Sequence, residues 1–292
     1  MQDFIYERPE TIGEAIAAMR ADGARALAGG TDLVPQLREG RRHAARIVDL
    51  KQIPEMTAIR VEPGGGVSIG AAVTATAIAG HADILAGYPA IAESAQLIGG
   101  VQVQNRASLG GNICNAAPSA DGVPALICHG AQALIAGPDG TRKMPVEAIF
   151  VGPGRTTLAA GELLVAIHLP PAAPRAAGAY RRFTPRREMD IAVAGVGAWV
   201  RLGDDGAIAE ARLALASVAP TPIRAPLAEE KLVGERPSDA LFEEVGRLAA
   251  QDARPISDTR GSAAYRGTLV AVLMARTLAD CGCRLGLEVA IA

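Results

Sequence analysis

The sequence predicts an α+β chain in two parts, and three observations carry that expectation. Residues 1–169 mix short apolar stretches of strand length with alanine-rich helical patterns. The segment Pro170-Pro171-Ala172-Ala173-Pro174-Arg175 cannot extend the strand before it and reads as a linker. Beyond it, two apolar runs joined by Gly203-Asp204-Asp205-Gly206 precede mostly helical sequence from Asp239 onward, the pattern of a smaller α+β domain. At 292 residues and 49% hydrophobic composition, the chain has ample material for one large core or two modest ones.

The elements follow in order. Phe4-Ile5-Tyr6 reads as a short strand ended by Pro9, and Thr11 with Glu14 is a capping-box signal for a helix to about Met19, stopped by Gly23. Arg25 to Ala28 is a second strand that runs into a glycine turn, after which Asp32 to Glu39 is helical, with Pro35 tolerated in the first turn. Ile47 to Leu50, Met56 to Val61 and Val67 to Val73 read as strands, the last two joined by Glu62-Pro63-Gly64-Gly65-Gly66. Thr74 to about Gly99 is helical with breaks near Gly87 and Pro89. Gln132 to Ala136 and Arg142 to Val146 flank Gly137-Pro138-Asp139-Gly140 as a hairpin, and Leu163 to Leu169 is a further strand. Past the linker, Met189 to Leu202 and Ile208 to Val218 are the apolar runs.

Charge and cysteine content narrow the function classes. With 29 basic and 31 acidic residues the formal net charge is −2, which gives no electrostatic reason to expect nucleic acid or an anionic membrane as partner. The apolar stretch Ile191 to Val200 is half the length of a membrane span, and MQDFIYERPE carries no basic-then-apolar leader. We expect a soluble, cytoplasmic protein with no membrane span. Cys114, Cys128, Cys281 and Cys283 do not form a secreted disulfide framework, so reduced thiols are expected.

Two glycine segments carry the functional signal: Ala28-Gly29-Gly30-Thr31-Asp32-Leu33, and Ser108-Leu109-Gly110-Gly111-Asn112-Ile113. Each pairs adjacent glycines with small hydroxyl or amide side chains, so backbone N–H groups can approach an anion without a Cβ in the way. Strand, glycine turn and helix in succession is an anion-binding layout. The two together suggest a diphosphate held from two sides. Either pair alone is the composition of an ordinary turn.

The second segment continues as ASLGGNICNAAPSAD from Ala107 to Asp121, which closely resembles the flavin-binding signature of the FAD subunit of molybdenum hydroxylases, the xanthine dehydrogenase and carbon monoxide dehydrogenase family. LAGGTDLV from Leu27 to Val34 resembles the other diphosphate loop of that family. YRRFTPRREMDIAVAGVGA from Tyr180 to Ala198 and DTRGSAAYRGTLVAVLMAR from Asp258 to Arg276 look like the opening and closing stretches of its C-terminal domain. The resemblance covers essentially the whole chain. It implies a two-part FAD-binding domain of the vanillyl-alcohol oxidase and MurB (PCMH) type over residues 1–172. A smaller domain of the CO dehydrogenase flavoprotein type would follow over 177–285.

The resemblance also implies a site. Ala28, Gly29, Gly30, Thr31, Asp32 and Leu33 would wrap one side of a non-covalent FAD diphosphate, with Arg25 at a basic position of xanthine dehydrogenases. Ser108, Gly110, Gly111, Asn112 and Ile113 would hold the other side, and Val101 joins the cofactor-binding set. Asp121 takes the family's carboxylate position, with ribityl or ribose hydroxyls or a loop contact as its expected role. Leu164 would line the flavin, and Arg182 stands where the family has a lysine near the isoalloxazine.

The implied function is electron transfer. A large molybdopterin-binding subunit would oxidise substrate, a small subunit with two 2Fe–2S clusters would relay electrons, and this chain's flavin would pass them to NAD, quinone or oxygen. The assembly would be a heterotrimer that doubles. The chain itself offers no catalytic nucleophile or acid–base pair, so no activity on substrate is expected of it alone. Two alternatives remain at this level: a stand-alone MurB-like or alcohol-oxidase-like flavoenzyme, which would turn over a substrate unaided, and a non-catalytic nucleotide-binding assembly module, which would lack a redox-active flavin spectrum.

Other features have plainer readings. The family often has QIRN before the second loop; here Gln102-Val103-Gln104-Asn105 puts Gln104 in the arginine's place. Only Cys114 lies near the second loop, too few ligands for the extra iron–sulfur centre of hydroxybenzoyl-CoA reductases. His43, His81, His129 and His168 lack partners at metal spacing, and no metal is assigned. Cys281-Gly282-Cys283 reads as incidental thiols, and Gly195-Val196-Gly197 as a packed strand rather than a dinucleotide fingerprint.

Overall fold

A computed structural model describes residues 3–187 and 189–289. Its first layer is a parallel sheet in the order Ile5–Glu7, Arg46–Asp49, Ala24–Leu27. Ile12–Met19, the helix between its first two strands in the chain, starts as the capping residues require. Thr11 Oγ1 accepts from Glu14 N–H at 3.2 Å, and Glu14 reaches back to Glu10 N–H at 2.9 Å.

Next comes a five-stranded antiparallel sheet, ordered Ile59–Val61, Val67–Gly70, Leu163–Leu169, Gln132–Gly137, Gly140–Pro145. Leu163–Leu169 is its middle strand, and six of its seven residues, all but His168, are buried, as its apolar run demands. Short helices at Ala75–Ala79, Ala82–Gly87 and Pro89–Gln96 break at the glycine and proline the sequence marked. One expected strand is divided: Met56 lies in the one-turn helix Pro54–Thr57, started by Pro54 at its first position, and the strand begins only at Ile59. Met56 is fully buried there, and Met is itself a good helix former.

After residue 175 a four-stranded antiparallel meander runs Ala176–Phe183, Ala194–Leu202, Ile208–Ala216, Ile223–Arg224. One face of this sheet is covered by Ala263–Arg284 over its first two strands and by Pro226–Leu232 over the third, with Asp239–Asp252 packed on both helices. On the other face lies the helix Gly122–Cys128, close enough that a Cβ on Gly197 would sit 3.0 Å from the Pro124 carbonyl. Burial on both faces accounts for the apolar, alternation-free Ala194–Leu202, and Gly195-Val196-Gly197 is indeed ordinary strand within it. The run expected from Met189 becomes strand only at Ala194. Two large hydrophobic clusters result among the described residues, one centred on the first two sheets and one between the meander and its helices, with a small third one at Leu37, Ala44 and Ile47; Tyr180, Trp199 and Ala214 of the meander belong to the first and join the two parts.

His129 sits at that junction, 5% exposed, its ring edge-on to Tyr88 at 5.5 Å. Burial first, then the positive charges of Arg212 and Arg284, lower its pKa to about 3, and its Nε2 has no hydrogen-bond partner. The unfolded chain takes up this proton near 6.5, whereas the folded chain resists it down to about 3. The stability so contributed is complete above about pH 6.5 and lost as pH falls, roughly 2 kcal/mol by pH 5. We therefore expect the melting temperature to fall between pH 7 and 5, and His129→Leu to flatten that slope. Equal slopes in both proteins would contradict the assignment.

Candidate functional site

The strand Ala24–Leu27 ends at the first glycine segment, and the helix Leu33–Arg38 begins directly after it. Gly30 makes the turn with φ +75°, a conformation that favours glycine. Gly29 has a different reason to lack a side chain: an added Cβ would lie 1.9 Å from the carbonyl oxygen of Arg106. That carbonyl is two residues ahead of Ser108, so the two glycine segments touch through backbone. Gly29 and Thr31 make no hydrogen bond within the described residues, leaving their N–H groups and the Thr31 hydroxyl unused.

The second segment is the first turn of the helix Leu109–Asn115 rather than a free loop. Ser108 caps it, its Oγ accepting from Gly111 N–H at 3.0 Å. A Cβ on Gly110 would lie 2.3 Å from the Ala71 carbonyl, so this turn is pressed against the chain following the strand Val67–Gly70. Asn112 Oδ1 accepts from Gly122 N–H at 3.2 Å and fixes the next helix relative to this one. Gln36 and Asn115, each shortly beyond its glycine pair, meet across the gap at 3.0 Å.

Between these two helix starts opens a cavity of about 560 Å³. Of the residues singled out from the sequence, Arg25, Ala28, Gly29, Gly30, Thr31, Asp32, Leu33, Ser108, Gly110, Gly111, Asn112 and Leu164 line it. Four others do not. Ile113 is fully buried beside Leu109, one helical turn earlier, so this face of the helix looks into the core while Asn112 looks into the cavity. Val101 opens the short helix Val101–Gln104 and is 59% exposed. Asp121 and Arg182 lie apart, paired with each other and nearly buried.

That pair is a second constellation. The Arg182 guanidinium donates to one Asp121 oxygen, and the Tyr180 hydroxyl donates to the other at 2.8 Å. Burial pushes the Asp121 carboxyl above its usual range, against the pull of Arg182 and Tyr180. Tyr180 and Arg182 come from the first strand of the meander and Asp121 from the N-cap of Gly122–Cys128, so the three tie the C-terminal part to the segment following the second glycine turn.

Sequence reasoning missed several wall residues. Arg20, Arg42, Leu50, Thr156 and Glu162 also line the cavity, along with Gln36, Asn115 and Cys114. Gln36 and Asn115 were findable as polar residues about one turn beyond each glycine pair; the others reach the wall only through the tertiary fold. Asp32 is raised in pKa by burial, with Arg42 and Arg41 pulling the other way. Gln104, in the family's arginine position, instead donates to the Gln96 carbonyl at 2.6 Å. Among the described residues there is no cluster of three or more His, Cys, Asp or Glu able to hold a metal, and no helix long and apolar enough to cross a membrane.

A fold of one parallel and one antiparallel sheet with paired glycine turns facing one cavity, followed by a meander under helices, defines a dinucleotide-binding class of subunit. Residues 2–172 match the FAD binding domain in molybdopterin dehydrogenase, and residues 179–281 match the CO dehydrogenase flavoprotein C-terminal domain. The chain belongs to this family, the FAD-binding medium subunits of xanthine and CO dehydrogenase-type molybdenum hydroxylases. It is 34% identical over 284 residues to the xanthine dehydrogenase FAD-binding subunit of Escherichia coli O157:H7, covering 96% of this chain and 97% of that one. It is 31% identical over 277 residues to the carbon monoxide dehydrogenase medium chain of Hydrogenophaga pseudoflava, covering 94% and 96%. The solved structure of carbon monoxide dehydrogenase from that organism, in a form lacking the Mo-pyranopterin moiety of the molybdenum cofactor, superposes with a TM-score of 0.92 at 31% identity over 97% of this chain and 98% of that one. Both the α+β architecture and the FAD-binding assignment expected from the sequence stand.

Proposed function

We propose that this chain holds FAD non-covalently with its diphosphate between the two glycine turns, and serves as the electron-transfer subunit of a molybdenum hydroxylase. The observation that carries this reading is the meeting of Gly29-Gly30-Thr31 and Ser108-Gly110-Gly111, some eighty residues apart, at the wall of one cavity. The unused N–H groups of Gly29 and Thr31 would donate to one phosphate, and the Thr31 hydroxyl would add a third donor. The first-turn N–H groups of the helix at Leu109 and Gly110, which have no helical acceptor, would face the other. Arg20, Arg25 and Arg42 at the wall would offset the two negative charges. Leu50, Ile98 and Leu164 supply apolar surface for a ring system.

The flavin, when bound, takes up electrons and hands them on. In this reading Asp121, Tyr180 and Arg182 set the polarity where the two parts of the chain meet, and Asp121 offsets the Arg182 charge. The electrons would come from a small partner subunit with two 2Fe–2S clusters, fed by a large molybdopterin-binding subunit. The assembly would be a dimer of heterotrimers in the cytoplasm, delivering to NAD, quinone or oxygen. In this reading substrate turnover would belong to the large subunit.

The test is to purify the full chain and identify its bound chromophore by absorbance and mass after denaturation. One FAD per chain is expected, with electron uptake from a reduced 2Fe–2S partner and no oxidation of substrate by the chain alone. A colourless protein that does not take up added FAD would end this reading; a yellow protein that turns over a small substrate unaided would replace it with a stand-alone flavoenzyme.

A further inference from the structure

We infer that Lys51 is a positioning residue for the first glycine turn, fixing the direction of the Ala28–Gly29 peptide so that its N–H faces the diphosphate side of the cavity. The inference rests on the FAD-binding reading above and goes beyond it by assigning a residue outside the glycine segments and outside the cavity wall.

Lys51 follows the middle strand Arg46–Asp49, in the short turn Leu50–Gln52. Its ammonium donates to the Ala28 carbonyl at 2.9 Å and to Asp49 Oδ1 at 2.6 Å. The other Asp49 oxygen accepts from the Tyr6 hydroxyl. Asp49 is 4% exposed, and although burial works against its charge, the hydrogen bonds from Lys51 and Tyr6 hold its carboxyl below the usual range. Residues of the edge strand Ile5–Glu7 and the middle strand Arg46–Asp49 thus anchor one ammonium against one loop carbonyl.

The geometry has a directional consequence. In a trans peptide the C=O and the following N–H point to opposite sides, and no cis bond occurs among the described residues. With the Ala28 carbonyl drawn toward Lys51, the Gly29 N–H must point away from Lys51. Ala28 and Gly29 line the cavity and Lys51 does not, and in this inference the cavity lies on the side of the peptide away from Lys51. This N–H makes no bond within the described residues. A flipped peptide would put a carbonyl oxygen against a phosphate, and glycine at position 29 leaves little intrinsic resistance to that flip. Lys51 supplies the resistance, since a hydrogen bond from a charged donor is stronger than a neutral one.

Two variants test this in the full chain. Lys51→Met removes the ammonium at similar length; Asp49→Asn with Lys51→Met also removes the carboxylate that would otherwise be left unpaired, and secures the test should the single variant fold poorly. FAD affinity by titration, and the melting temperature of the flavin-free protein, are measured for each. We expect FAD affinity to fall about 10- to 100-fold in the double variant, while its flavin-free melting temperature stays within about 3 °C of wild type, and Lys51→Arg to recover most of the affinity. FAD affinity within about twofold of wild type would overturn the inference, as would a loss of affinity matched by collapse of the flavin-free melting temperature in both variants. A wild-type chain that fails to bind FAD would instead remove the reading on which the inference rests.

Discussion

Gly29→Ala should yield a protein that retains less than about a tenth of its flavin and melts roughly 2–8 °C lower than wild type. The added methyl would lie 1.9 Å from the Arg106 carbonyl oxygen, far inside contact distance, and the obstacle is backbone rather than a flexible side-chain end. Relief requires the two glycine turns to separate by more than 1 Å, at a cost of about 1–3 kcal/mol in packing. That movement also spreads the donors that would converge on the diphosphate, so cofactor retention should suffer more than stability. The measurement is the ratio of flavin to protein absorbance after gel filtration, with thermal melts alongside. Gly13→Ala is the matched control, because nothing lies within 4 Å of a Cβ there and the residue is in a helix. Full flavin content in Gly29→Ala would show that contact between the turns does not govern binding.

A second large effect is expected at the buried pair. Arg182→Leu leaves the Asp121 carboxyl, 9% exposed, with the Tyr180 hydroxyl as its remaining side-chain partner. Uncovering one member of such a pair costs about 3–5 kcal/mol, or on the order of 10 °C in melting temperature for a chain of this size. The sign of its pH dependence is diagnostic. Burial already raises the Asp121 pKa, and loss of the cation raises it further, so the folded variant binds a proton that the unfolded chain releases. Its stability is therefore retained at low pH and lost as pH rises through the raised folded value. Arg182→Leu should melt higher at pH 5.5 than at 7.5, relative to wild type, and adding Asp121→Asn should restore much of the loss at 7.5. A pH-independent deficit would mean that Arg182 acts through packing alone.

These two sites differ in how legible they are. The helix over Ile12–Met19, the hairpin Gln132–Pro145 and the strand Leu163–Leu169 follow from capping, turn chemistry and apolar runs, all short-range signals. Both glycine segments were legible as places of close backbone approach, because adjacent small residues are recorded by succession alone. Asp121 and Arg182 were legible only by resemblance, and their union with each other and Tyr180 was not, since three chain segments must converge before the ion pair exists. The strand that starts at Ala194 rather than Met189 was decided by the neighbours against which it is buried.

By itself, then, the sequence determined where the two glycine segments lie, the strand and helix that flank the first of them, and the near-neutral formal charge. Local steric rules act within a few residues, so they are written there in full. Only the tertiary structure decided that Asn112 faces the cavity while Ile113 faces the core, that Gly29 must stay bare because of Arg106, and that Lys51 grips the carbonyl of Ala28. Each of these depends on which distant backbone comes to rest against a given atom, and close packing settles that for the whole chain at once.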